Sequence, residues 1–177
     1  MRIGILTIAL LWLMACSDKG SIQNNAIAIP AFFKSEMSRL SKQKSKLNKS
    51  LQFKNQISEV NSNQVNWEIE LRPFLELKYP GMAQIKDYKM ATVQLNPIAR
   101  IVQLKALNKQ AQYSFIELLL VKEQLYAITS YQSAAQLFSH SAAYLRYQLG
   151  HSYHIQSYNQ FIGMHKLNYA IHGKISN

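Results

Sequence analysis

The chain has 177 residues, 48% of them hydrophobic and 11% aromatic, with 20 Lys plus Arg against 9 Asp plus Glu and a single cysteine. That is one domain's length with enough apolar residues to bury a core, which argues against wholesale disorder and against a large multidomain enzyme. One cysteine excludes an internal disulfide and a multi-thiolate zinc site, and two aspartates, Asp18 and Asp87, leave little for metal or acid/base chemistry.

Residues 1–15 open with a positive charge at Arg2, continue as an apolar run from Ile3 to Leu13 and reach small Ala15 before Cys16. This is the pattern of an export signal. A membrane span wants about 20 apolar residues, and this run stops at Ser17-Asp18-Lys19-Gly20. The segment Leu13-Met14-Ala15-Cys16 resembles the lipobox of bacterial lipoproteins, with Leu three before the Cys and a small residue directly before it. The resemblance implies cleavage between Ala15 and Cys16, a diacylglycerol on the Cys16 sulfur and acylation of the new amine. Two or three acyl chains anchor a protein stably where one binds marginally. Ser17 after the Cys, where inner-membrane lipoproteins often carry Asp, implies an outer-membrane location facing the periplasm.

Cleavage at that point removes only Arg2 among the charged residues, so the remaining chain keeps 19 positive and 9 negative charges. A balance this basic calls for anionic neighbours, which outside the cytoplasm are lipid headgroups, acidic polysaccharide or an acidic envelope protein. Nucleic acid is a poor match: no Gly-rich phosphate loop or aromatic RNA-reading motif is present.

Residues 16–30 read as the lipidated Cys and a flexible tether closed by Pro30, and residues 31–177 as one domain. Over 31–43, Phe32, Phe33, Met37 and Leu40 recur at helical spacing, so a short amphipathic helix is expected, packed on the core or lying on lipid. From Lys34 to Lys54 seven basic residues face one acid, Glu36. This run is either a solvated face or an electrostatic contact with an anionic surface, carried by Lys42, Lys44, Lys46 and Lys49. Leu47, Leu51, Phe53 and Ile57 at odd positions predict one strand over 47–60, ended by Asn61-Ser62-Asn63 with Asn63 as a helix cap. A helix over 65–77 follows, with Trp67, Leu71, Phe74 and Leu75 on one face, Glu68, Glu70 and Arg72 toward water, and a kink at Pro73.

Beyond Tyr88 the pattern predicts eight short strands, over 88–94, 99–106, 113–121, 125–131, 136–139, 143–149, 153–161 and 167–175. The expected class is α+β, two short N-terminal helices packed on an antiparallel β-meander that forms a half-barrel or a sandwich. The pieces Phe33-x-x-Glu36-x-x-x-Leu40, Trp67-Glu68-x-Glu70-Leu71-x-x-Phe74, Leu125-Tyr126, Tyr153-x-Ile155 with Gln160, and Tyr169-x-Ile171-x-Gly173 resemble a family of small uncharacterised bacterial envelope lipoproteins. That resemblance implies a location and a fold and no activity. Leu75-Glu76-Leu77-Lys78-Tyr79-Pro80 stands where the family has an Asp-Ile-Asn-Lys-Pro-like segment.

Neither a catalytic site nor a cofactor or metal site is expected. The five histidines, His140, His151, His154, His165 and His172, lie on predicted strands and turns with few carboxylates near them in sequence, and His151 and His154 should point to opposite faces. No Gly-x-Ser-x-Gly elbow presents a nucleophile, and Glu68 and Glu70 diverge on a helix. Seven of the ten tyrosines, Tyr126, Tyr131, Tyr144, Tyr147, Tyr153, Tyr158 and Tyr169, fall on the late strands. They are either ordinary strand formers or the lining of a curved sheet that holds an amphiphile or glycan. Two roles follow: a non-catalytic scaffold or accessory lipoprotein, or a carrier. A scaffold fills the sheet face under its helices with large side chains, whereas a carrier leaves an apolar cavity of about 300 Å³ or more.

Overall fold

The computed structural model describes residues 28–177 apart from positions 55, 137 and 165. The expected signal segment, its cleavage point at Ala15 and Cys16, and most of the tether lie outside the described residues. Helix α1 (Ile29–Lys42) starts two residues before the expected point, with Pro30 in its first turn, where a missing N–H costs nothing. Its buried side chains, Ile29, Phe33, Glu36 and Leu40, recur every three or four residues and face the core. Of the two settings open to this helix, core packing is the one found. A left-handed residue, Lys44 (φ 52°), ends the turn that follows, and the Ser45 N–H reaches back to the Leu40 carbonyl at 3.1 Å.

The single strand expected over 47–60 is instead a hairpin of β1 (Lys46–Phe53) and β2 (Gln56–Ser62). Lys54 sits in this turn at φ 53°, and the sequence marks the turn by Asn55 alone, without glycine or proline. The reversal also flips parity. Leu51 lies opposite Ser58 and Gln52 opposite Ile57, so Ile57 falls on the face away from Leu47 and Leu51.

The expected 65–77 helix is two short pieces, α2 (Trp67–Glu70) and α3 (Arg72–Leu75). Pro73 sits in the first turn of α3: lacking an N–H, it starts a helix where it could not continue one. The cap of α2 is Asn66, whose side chain accepts from the Ile69 N–H at 3.2 Å, and not Asn63. A further short helix, α4 (Met82–Ile85), was not expected.

The remaining strands are β3 (Tyr88–Asn96), β4 (Ala99–Ala106), β5 (Phe115–Val121), β6 (Gln124–Gln136), β7 (Ser139–Gln148), β8 (Ser152–Phe161) and β9 (Leu167–Ser176). The segment 136–139, expected as a strand of its own, instead holds the paired ends of two strands, Gln136 closing β6 and Ser139 opening β7. Among the described residues the nine strands form one antiparallel sheet in the order β2-β1-β9-β8-β7-β6-β5-β4-β3, with β2 and β3 at its edges. The α+β antiparallel architecture therefore holds as a single open sheet, without the second layer a sandwich requires. The N-terminal hairpin joins the C-terminal strand, Leu47 opposite Ile175 and Lys49 opposite Gly173.

The helices cover one face of this sheet. Leu47, Leu104, Ile116, Leu118, Ile128, Leu145, Tyr147, Tyr153, Ile155 and Ile175 point into it and are buried with Phe33, Leu40, Trp67, Leu71 and Phe74 from the helices. Phe33 stacks on Phe74 at 5.2 Å between ring centroids, and Tyr147 meets both edge-on at 5.0 and 5.6 Å. Gly173 exists for this packing. A Cβ there would lie 2.2 Å from the Tyr153 ring, which crosses its backbone from the neighbouring strand.

Candidate functional site

The lysines singled out by charge gather where α1 turns into β1. Lys42 closes α1, Lys44 holds the left-handed turn and Lys46 opens β1, and all three are exposed. The turn is pinned from beneath by buried Ser45, whose hydroxyl donates to Asn177 Oδ1 at 2.8 Å. Lys49 is different. It lies on the helix-covered face, and its Nζ is 2.6 Å from Glu70 Oε1.

Glu70 was expected to face water, and it is half-buried instead. Its second oxygen accepts from the Tyr153 hydroxyl at 2.6 Å, so this carboxylate ties α2 to β1 and β8. A second carboxylate does the same for α1. Glu36 is buried and receives both Nε and Nη2 of Arg39 at 2.7 Å, the Tyr147 hydroxyl at 2.5 Å and the Gly150 N–H at 3.2 Å. Burial alone would push the Glu36 carboxyl up; the hydrogen bonds from Arg39 and Tyr147, the Arg39 charge and the Gly150 N–H together hold it below the usual carboxylate range. Burial, reinforced by the carboxylates they bond, pushes the Tyr147 and Tyr153 phenols well up, so both stay protonated donors. Gly150 sits at φ 65° in the β7–β8 turn, and the same left-handed geometry aims its N–H at Glu36.

In sequence Glu36 stands out as the single acid of a basic run. Its spacing carried the signal: it lies three after Phe33 and four before Leu40, on the buried stripe, with Arg39 one turn on. Both carboxylates have each oxygen engaged by at least one donor from another residue, an arrangement that holds elements together.

The tyrosines divide between the two faces. Tyr147 and Tyr153, directly paired on β7 and β8, lie beneath the helices, whereas Tyr131, Tyr144 and Tyr158 fall on the outer face by register. Past the helices, the covered face of β6, β7 and β8 changes character. There Gln132, Ser141, Ser157 and Asn159, with Gln112, line a cleft of about 360 Å³. The hairpin ends beyond it expose Phe138, Phe161, Ile162 and Met164.

Of the histidines, His140 packs edge-on against Tyr158, His151 occupies the exposed β7–β8 turn, and His154 and His172 face each other across β8 and β9 on the outer face, centroids 6.1 Å apart. His165 lies outside the described residues. Among the described residues no three His, Cys, Asp or Glu side chains gather as metal ligands, and no helix is long and apolar enough to cross a membrane. No protein-family model matches the chain, and no curated protein matches it.

Proposed function

We propose that this protein is a membrane-anchored envelope lipoprotein with a non-catalytic scaffold or accessory role, its sheet wrapped as a half-barrel around the helices. Cys16 provides the anchor, and the exposed lysine end, Lys42, Lys44 and Lys46, leans on anionic headgroups or an acidic envelope protein. One observation carries the scaffold reading: the sheet face beneath the helices is filled by Phe33, Phe74, Tyr147 and Tyr153, each at most 1% exposed. Space that a carrier would keep open for an apolar ligand is taken by side chains. Glu36 and Glu70, the acids nearest this core, are engaged in bonds that tie the helices to the sheet.

Two experiments test the reading. In a bacterial host fed labelled fatty acid, the full chain should take up label and fractionate with membranes, and Cys16→Ser should abolish both; label retained in that variant overturns the anchor. In the Cys16→Ser background, K42E/K44E/K46E should release the protein from anionic vesicles, and unchanged binding removes the lysine contact. Lys49 is left out because its charge is already engaged by Glu70.

A carrier role has one observation in its favour, the cleft lined by Gln112, Gln132, Ser141 and Asn159. Amides and hydroxyls of this kind suit a glycan better than a lipid-like ligand. Native mass spectrometry of the Cys16→Ser chain tests it, through an extra mass of saccharide size that survives organic extraction and is released on denaturation.

A further inference from the structure

The outer face of the sheet, opposite the helices, carries a second cluster unrelated to the lysine end. Register places Arg146, His154 and His172 side by side on β7, β8 and β9. With Tyr144, Gln148 and Ser152 they line a cleft of about 400 Å³. Tyr144 packs edge-on against His154 at 5.7 Å, and Lys174, one pair along from His172 on the same face, adds a further cation.

The part of this face built by β6 to β9 carries no acid. No Asp or Glu follows Glu123 in the chain, so β6 to β9 contribute none. On the outer face the nearest by register are Glu59, two strands from His172 across Ser50, and Glu117, two strands from Arg146 across Thr129. Strand spacing puts each about 10 Å away, and Glu117 is also engaged by Gln103 Nε2 at 2.7 Å. Among the described residues, no ion pair involves Arg146, His154, His172 or Lys174. A planar guanidinium, two imidazoles and hydroxyl donors converging on one cleft with no built-in counter-charge form a receptor for an oxyanion.

We propose that this cleft is a phosphate-binding site, in which Arg146, His154 and His172 grip the phosphoryl group of a small ligand or a lipid headgroup, with affinity that rises as pH falls. Burial holds His154 below the ordinary histidine range, and the neighbouring His172 and Arg146 lower it further. An anion in the cleft opposes that effect and favours the imidazolium, so binding takes up a proton. By linkage, affinity climbs by up to about tenfold per pH unit for each proton taken up and levels off once His154 is charged before binding.

The test uses the full chain in neutral detergent and follows the histidine ring resonances by NMR. Inorganic phosphate at millimolar concentration should shift His154 and His172 saturably, and sulfate, an oxyanion whose own charge does not change over this range, should bind more tightly at pH 6 than at pH 8. Arg146→Gln, an exposed substitution, should weaken binding by roughly tenfold or more, the loss of a charge-assisted pair, and Arg146→Lys should restore part of it. K42E/K44E/K46E should leave it unchanged, which separates this site from the lysine contact. Vesicles containing phosphatidylglycerol, against phosphatidylcholine alone, distinguish the sources. Shifts with inorganic phosphate or a sugar phosphate support a small ligand, and shifts confined to the anionic vesicles and lost in Arg146→Gln support a headgroup. Unmoved His154 and His172 resonances in every arm, or binding indifferent to Arg146→Gln, overturn the proposal.

Discussion

Strands β6, β7 and β8 run beneath the helices at one end and continue bare beyond them at the other, and the same strands are two different materials at their two ends. Under the helices the inward residues are Ile128, Leu145, Tyr147, Tyr153 and Ile155, buried in one cluster with Phe33 and Phe74. Beyond them the same parity carries Gln132, Ala134, Ser141, Ala143, Ser157 and Asn159, small or polar groups around an open cleft. Regular hydrogen bonding continues along both halves, with paired residues from Gln148↔Ser152 to Ser139↔Phe161. Stability and exposure for binding are thus divided along the strands rather than between domains.

The largest effect expected from breaking this contrast is in the packed half. Phe33→Ala removes a ring with no exposure that touches Phe32, Phe74 and Tyr147. It should cost about 3–5 kcal/mol in urea unfolding. Next comes Gly173→Ala, whose Cβ collides with Tyr153; overpacking of this kind costs about 1–3 kcal/mol. The same substitution made in a Tyr153→Ala background should cost clearly less, and equal costs in both backgrounds would mean that the ring does not explain the glycine.

Glu36→Gln should cost about 1.5 kcal/mol near neutral pH, since it trades charge-assisted bonds for neutral ones. Because the folded carboxyl is held below its unfolded value, its contribution is present above the ordinary carboxylate range and lost as pH falls through the folded value. The melting temperature of Glu36→Gln should therefore fall less steeply with acid than that of the parent chain. The smallest effect belongs to the bare half: Ser141→Ala should stay within about 0.5 kcal/mol. A cost comparable to that of Phe33→Ala would erase the distinction between the two halves.

Local pattern revealed much of this fold. Helix α1 follows from Phe33 and Leu40 at helical spacing, and β4 matches its expected range of 99–106 end to end, because alternation of buried and open residues survives there. The misses share a cause. The β1–β2 turn has Lys54 in a left-handed conformation and is marked in sequence by a single Asn55 without glycine, and the parity of Leu51, Phe53 and Ile57 runs through it unbroken. The helix expected over 65–77 was divided by a proline whose place, interior or first turn, depends on where the preceding helix stops.

The candidate sites were less legible. Lys42, Lys44 and Lys46 were found by counting charge, whereas Lys49 counted equally and is held by Glu70, 21 residues away. Arg146, His154 and His172 come together only through the pairing of β7 with β8 and of β8 with β9.

By itself the sequence determined the basic balance, the α1 stripe, the alternation of most strands and the absence of acids after Glu123, all properties of composition or of neighbours within a turn or two. Tertiary structure alone decided that β1 closes against β9, that Glu36 meets the Tyr147 hydroxyl 111 residues on, and that Gly173 makes room for Tyr153. The physical reason is range. Periodicity records which face of an element avoids water, and the partner on that face is chosen only when distant strands come into register.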